Sequence, residues 1–166
     1  MPRILYLLRH AKSSWKDDSL ADFDRPLKRR GREAAEQMGK RLASEKLNDA
    51  VLICSPAART RETAQIVLKH SGLRMDQRFD DRIYEASLRD LMQVVSELPD
   101  DRQTAMLIGH NPGFEELQDF LTGQARRMPT CALAKIKLHA ESWKDVRTGE
   151  GSLKLFLTPK GLAEEK

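Results

Sequence analysis

The run RILYLLRHAKSSW, residues 3–15, begins as a nearly unbroken apolar block and ends with an arginine and a histidine side by side. Residues 3–8 have the length and composition of a short strand buried on both faces, bounded by Pro2 and the polar AKSSWKDDS. A buried strand that delivers a cation and an imidazole at its carboxyl end organises the rest of the reading.

Downstream, short apolar runs alternate with helical patterns. Residues 27–44 place Ala34, Ala35, Met38 and Leu42 at helical spacing, after a loop-like DDSLADFDRP. Residues 50–54 form a second apolar run. Ser55-Pro56 then reads as an N-cap followed by a proline at the first helical position, opening a helix to about His70. Residues 74–79 suggest an edge strand and 88–98 a helix stopped by Pro99. Residues 104–108 form a third buried strand, followed by a helix over 113–121. In the last third, 131–138 and 151–157 alternate like strands, joined by HAESWKDVRTGE, and 161–166 is expected to be a loose tail after a single domain of residues 1–160. Strands alternating with helices predict an α/β domain with a largely parallel sheet.

Composition narrows the function classes. The chain has 166 residues, 40% apolar and 33% charged, which fits one soluble domain with its own core. No run approaches the roughly 20 apolar residues of a spanning helix, and no secretory signal precedes the domain, so a cytoplasmic protein without membrane association is expected. The net charge is +4 and aromatics make up 5%; the cations are scattered, so an anionic substrate or acidic partner is favoured over nucleic acid. Cys54 and Cys131 lack a CxxC spacing and read as buried free thiols.

In parallel sheets, ligands bind beyond the carboxyl ends of the strands. Three such ends carry unusual residues: Arg9-His10, the SPAAR run ending at Arg59, and the GHNPG run with His110. Two guanidinium groups and two imidazoles in one crevice suit a phosphoryl group, because arginine forks match its oxygens and stay charged. A neutral His10 with one free ring nitrogen can attack phosphorus, and neighbouring arginines favour that neutral form. Arg9, Arg59 and a protonated His110 would meet the oxygens as charge develops. No acidic residue adjoins either histidine and arginines repel cations, so no metal and no cofactor is expected. There is no GxxxxGK[ST] for a nucleotide and no GxSxG around Ser55.

RHAKSSW, DFDRPLKRRG, SPAARTRET and GHNPG together resemble the histidine phosphatase superfamily, and within it the small SixA-type phosphohistidine phosphatases. The resemblance implies a phosphoglycerate mutase-like three-layer sandwich without a cap insertion. It implies His10 as the phosphorylated nucleophile, with Arg9, Arg59 and His110 around the phosphoryl group. It also places Glu85, in RIYEASL, in the region of the superfamily's general acid. The family's arginine-histidine-glycine becomes Arg9-His10-Ala11 here. Lys12 and Ser13 are candidates to touch the phosphate or the partner, because loops after a nucleophile often line the site. Asp22 and Asp24 are read as loop anchors, and Trp15 and Trp143 as either surface or core. The expected substrate is a phosphohistidine-bearing protein. The alternatives are a small phosphate ester, with Glu85 as acid, or phosphate recognition without catalysis. Oligomeric state is left open.

Overall fold

A computed structural model describes residues 1–164. Its six-stranded sheet has the order β3-β2-β4-β1-β5-β6. Four strands are mutually parallel: β1 (Arg3–Arg9), β2 (Val51–Cys54), β4 (Thr104–Gly109) and, at the edge, β3 (Asp76–Phe79). β5 (Leu133–Leu138) and β6 (Gly151–Leu157) add an antiparallel pair beyond β1. β1 is buried on both faces: Leu5 and Leu7 enter one apolar cluster, Tyr6 and Leu8 the other. Helices α1 (Arg29–Leu42), α2 (Ala58–Ser71) and the short α5 (Pro159–Glu164) cover one face; α3 (Leu88–Ser96) and α4 (Gly113–Thr122) cover the other. The result is the expected three-layer α/β sandwich, and no cap is inserted over the carboxyl edge among the described residues.

Local chemistry explains the boundaries. Helix α3 starts with a reciprocal capping box, in which Asp90 N–H donates to Ser87 Oγ (3.1 Å) and Ser87 N–H to the Asp90 carboxylate (3.2 Å). Gly72, at φ 69°, ends α2 in the left-handed conformation a side chain resists. Gly31 in α1 lies directly under the Lys12 backbone, where a Cβ would overlap the Lys12 carbonyl. The LKRRG segment is thereby pressed onto the loop that follows β1. Lys28 N–H donates to that same Lys12 carbonyl at 3.0 Å.

Two expectations change, and one left open is resolved. Helix α2 begins at Ala58 with Ala57 at the cap, not at Pro56; the Ser55 hydroxyl caps no residue inside the helix and instead lies against His110. Residues 161–164 are not loose; they continue α5, whose Leu162 is buried against the α1 side of the core. Residues 165–166 lie outside the described residues. Trp143 is fully buried, its indole N–H donating to Arg102 O at 2.9 Å, whereas Trp15 is exposed. Cys54 and Cys131 are free and buried, and burial pushes both thiols up to about 12.

Candidate active site

The register of the sheet sets the site. Arg9 pairs with Gly109 across β1 and β4, and Cys54 pairs with Ile108 across β2 and β4. The bonds from His10 N–H to Gly109 O and from Ser55 N–H to Ile108 O, both 3.0 Å, carry the alignment one residue further. The three strand ends therefore stop within one residue of each other: His10 is level with His110, and Ser55 with Gly109. Arg59 arrives from the first turn of α2.

These side chains border a cleft of about 690 Å³. Arg9, His10, Arg59, His110, Lys12 and Ser13 all line it. Glu85 does not: its side chain is exposed, its backbone is left-handed at φ 53°, and it stands beside Tyr84 outside the lining.

His10 is oriented by its own neighbour. Nδ1 lies 2.7 Å from the Ala11 carbonyl, which can only accept, so Nδ1 carries the proton and Nε2 holds a lone pair. Arg59 Nε–H donates to that Nε2 at 3.4 Å. Burial, reinforced by the charges of Arg59, Arg9 and Arg25, lowers the His10 pKa to about 4. The nucleophilic form is thus the resting form at neutral pH.

His110 stands 5.2 Å from His10, ring centre to ring centre. Its Nε2 is 2.8 Å from Ser55 Oγ. Ser55 is fully buried, and its oxygen also accepts from Ala57 N–H at 3.4 Å. Among the described residues the Ser55 hydroxyl proton has no other acceptor, so we assign it to His110 Nε2, which places the His110 proton on Nδ1. That Nδ1 is buried and unpartnered, a donor directed to no protein atom. Burial, His10 and Arg59 push the His110 pKa down to about 3. Burial above all, with the charges of His10 and Arg59, favours the neutral ring, which then offers Nδ1–H as a neutral donor; the sequence expectation of a protonated His110 concerned the ring facing a transferring phosphoryl group. Arg9 Nη1 donates to Met128 O at 3.0 Å, while its buried Nε has no protein acceptor.

Asp22, read from sequence as a loop anchor, turns out to connect the cleft arginines. Its carboxylate accepts from Arg59 (3.1 Å), Arg25 (3.2 Å) and the Tyr84 hydroxyl (2.6 Å), and its backbone carbonyl accepts from Arg59 at 2.8 Å. The Tyr84 hydroxyl, with help from both arginines, holds the Asp22 carboxyl below its usual range. Tyr84 also packs edge-on against His110, ring centres 5.4 Å apart. Sequence reading missed Ser55, Arg25 and Tyr84 as parts of the site. The DFDRP segment was the available signal for Arg25, but nothing local marks Ser55 or Tyr84. Two arginines, a neutral imidazole nucleophile and a neutral imidazole donor can bind a phosphoryl group and receive it on nitrogen. No metal ligation is needed for that chemistry.

The family model described as the histidine phosphatase superfamily (branch 1) matches residues 5–120. An uncharacterized chloroplastic protein of Arabidopsis thaliana is 33% identical over 164 residues, spanning 92% of this chain and 75% of the relative. Among solved structures, a candidate phosphohistidine phosphatase SixA of Nakamurella multipartitia matches with a TM-score of 0.83 and 26% identity, over 96% of this chain and 97% of that one. A second candidate SixA, from Agrobacterium tumefaciens, gives 0.80 and 28% identity over 96% and 99% of the two chains. The sandwich is the phosphoglycerate mutase-like fold of these proteins.

Proposed function

The chain belongs to the histidine phosphatase superfamily, and from that premise we propose that this phosphatase removes the phosphoryl group of phosphohistidine on a protein, through a covalent intermediate on His10. The observation that carries the reading is the 2.7 Å contact from His10 Nδ1 to Ala11 O, which aims the Nε2 lone pair into the cleft beside Arg59.

In the first step Nε2 attacks phosphorus and the bond from phosphorus to the substrate's imidazole nitrogen breaks. If the far nitrogen of that imidazole is protonated, it leaves neutral and no acid is required. In the second step water attacks phospho-His10. His10 retains its Nδ1 proton throughout, held by Ala11 O, so it too departs as a neutral imidazole. The water's protons pass to the released phosphate. Arg9, Arg59 and His110 Nδ1–H stabilise the equatorial oxygens in both steps. An alkoxide leaving group would need a delivered proton whereas a protonated imidazole would not, so only the ester reading depends on Glu85, which lies against Tyr84.

The test is a side-by-side rate comparison on phosphohistidine-bearing protein and on a panel of phosphate esters, for wild type and Glu85→Gln. We expect a higher kcat/KM on phosphohistidine and a Glu85→Gln effect under twofold there. Faster ester hydrolysis, lost in Glu85→Gln, would establish the ester reading instead. No turnover on any donor would leave only phosphate recognition. A cytoplasmic site of action accords with a phosphoprotein substrate; among the described residues no helix is long and apolar enough to cross a membrane.

A further inference from the structure

The cleft is larger and more cationic than one phosphoryl group requires. Six cations line it, Arg9, Lys12, Lys16, Arg25, Lys28 and Arg59, and no carboxylate does. Arg9 and Arg59 belong to the phosphoryl pocket. Arg25 is buried to 8% side-chain exposure, pairs with Asp22, and still has one unpartnered buried nitrogen, Nη1. Lys12, Lys16 and Lys28 form no ion pair among the described residues, so their charge is left for a ligand. Four carboxylates lie in the same loop but none lines the cleft: Asp22 faces Arg25, Arg59 and Tyr84, Asp17 accepts from Ser19, and Asp18 and Asp24 are exposed to solvent.

Apolar surface is concentrated at the same place. Trp15, which lines the cleft, is 75% exposed, and the Arg25 guanidinium lies 3.3 Å over its ring. Stacking on a buried arginine holds the indole in one orientation while leaving its outer face in water. Phe23, 36% exposed, sits edge-on to Tyr84, whose ring abuts His110. An ordered, solvent-facing aromatic gives the fold little and is a typical anchor for a protein partner. Small anions need cations but make no use of such a surface.

We propose that Lys12, Lys16, Lys28 and the Arg25-stacked Trp15 form a docking rim that selects phosphohistidine proteins carrying carboxylates beside the phosphorylated side chain. This deepens the phosphatase reading above and rests on it. Phosphoryl chemistry is carried by Arg9, His10, Arg59 and His110; the rim adds recognition of what surrounds the phosphohistidine, by charge complementarity that steers encounter and by an aromatic contact that holds it.

The probes are three synthetic phosphohistidine peptides whose flanking residues are glutamate, alanine or lysine, with phosphoramidate as a donor that has no flanks. Wild type should show kcat/KM at least tenfold higher on the glutamate-flanked than on the lysine-flanked peptide, with the ratio shrinking as salt rises. Lys16→Glu/Lys28→Glu should lower that ratio at least fivefold, and Trp15→Ala should raise KM on all three peptides. Phosphoramidate hydrolysis should stay within twofold in both variants, which also reports that they are folded. Equal wild-type rates on the three peptides, or an unchanged ratio in the double variant, would overturn the docking rim while leaving the phosphatase reading intact. Hydrolysis of esters with no turnover of any phosphohistidine peptide would overturn both.

Discussion

Replacing Ser55 by alanine removes a single oxygen that does not touch substrate, yet the geometry assigns it control of the His110 proton. In the native protein Ser55 Oγ lies 2.8 Å from His110 Nε2, with the serine fully buried. Without that hydroxyl the imidazole has two poor choices. It can keep the proton on Nδ1 and leave a buried Nε2 unpaired, or move the proton to Nε2 and present a lone pair to the phosphoryl oxygens. Losing one partner of a buried hydrogen bond costs about 1–3 kcal/mol. The methyl group left behind fills most of the space, so the lower part of that range applies. A barrier raised by about 1–2 kcal/mol corresponds to roughly a 5- to 30-fold fall in kcat. KM should move little, because Arg9 and Arg59 still bind the ground-state phosphoryl group. The assay is steady-state dephosphorylation of a phosphohistidine peptide, paired with nitrogen NMR shifts of His110 that report which ring atom holds the proton. A kcat within twofold of wild type, with unchanged His110 shifts, would refute the assignment of Ser55 as proton-directing partner.

Two further outcomes test the frame around that residue. His10 and His110 are held neutral in the fold, at about 4 and about 3, whereas an unfolded histidine titrates near 6.5. Both shifts are downward, so the unfolded chain binds more protons below pH 6.5; stability should be full above that pH and fall as pH drops towards 4. Thermal melts at pH 7.5 and 5.0 should show a lower Tm at pH 5.0, with the drop reduced in His10→Gln/His110→Gln; equal drops would contradict the assignment. For the loop behind the nucleophile, Gly31→Ala places a methyl group against the Lys12 carbonyl, and the backbone must shift. Overpacking of this kind typically costs about 1–3 kcal/mol, seen as a lower denaturant midpoint, and activity should fall as the loop after β1 moves; an unchanged midpoint would show that the contact is not tight.

The fold was readable because each of its signals is local. The apolar runs of β1, β2 and β4, with helical spacing between them, gave the parallel sheet, and strand ends that stop within one residue of each other brought Arg9, His10, Arg59 and His110 together. What stayed hidden depends on contacts between distant segments. Ser55 looks like a helix cap from its neighbours alone; its use by a histidine 55 positions away appears only in three dimensions. The Asp22 carboxylate looks like loop polarity until Tyr84, 62 positions on, and Arg59, 37 on, close around it. Glu85 is a third case: the fold leaves it exposed yet against Tyr84, whose ring abuts His110, a placement its local sequence does not reveal. The tail misled for a related reason, since its residues are mostly polar and only Leu162, packing near α1, ties residues 161–164 into α5.

The central claim is that the phosphoryl group passes through His10 Nε2, and rapid quench of the protein with radiolabelled phosphoramidate tests it most directly. The account predicts an acid-labile, base-stable phosphoenzyme that forms within the first turnover, maps to the peptide containing His10, and is absent in His10→Ala. Turnover by wild type with no labelled His10 peptide, or undiminished turnover by His10→Ala, would contradict it.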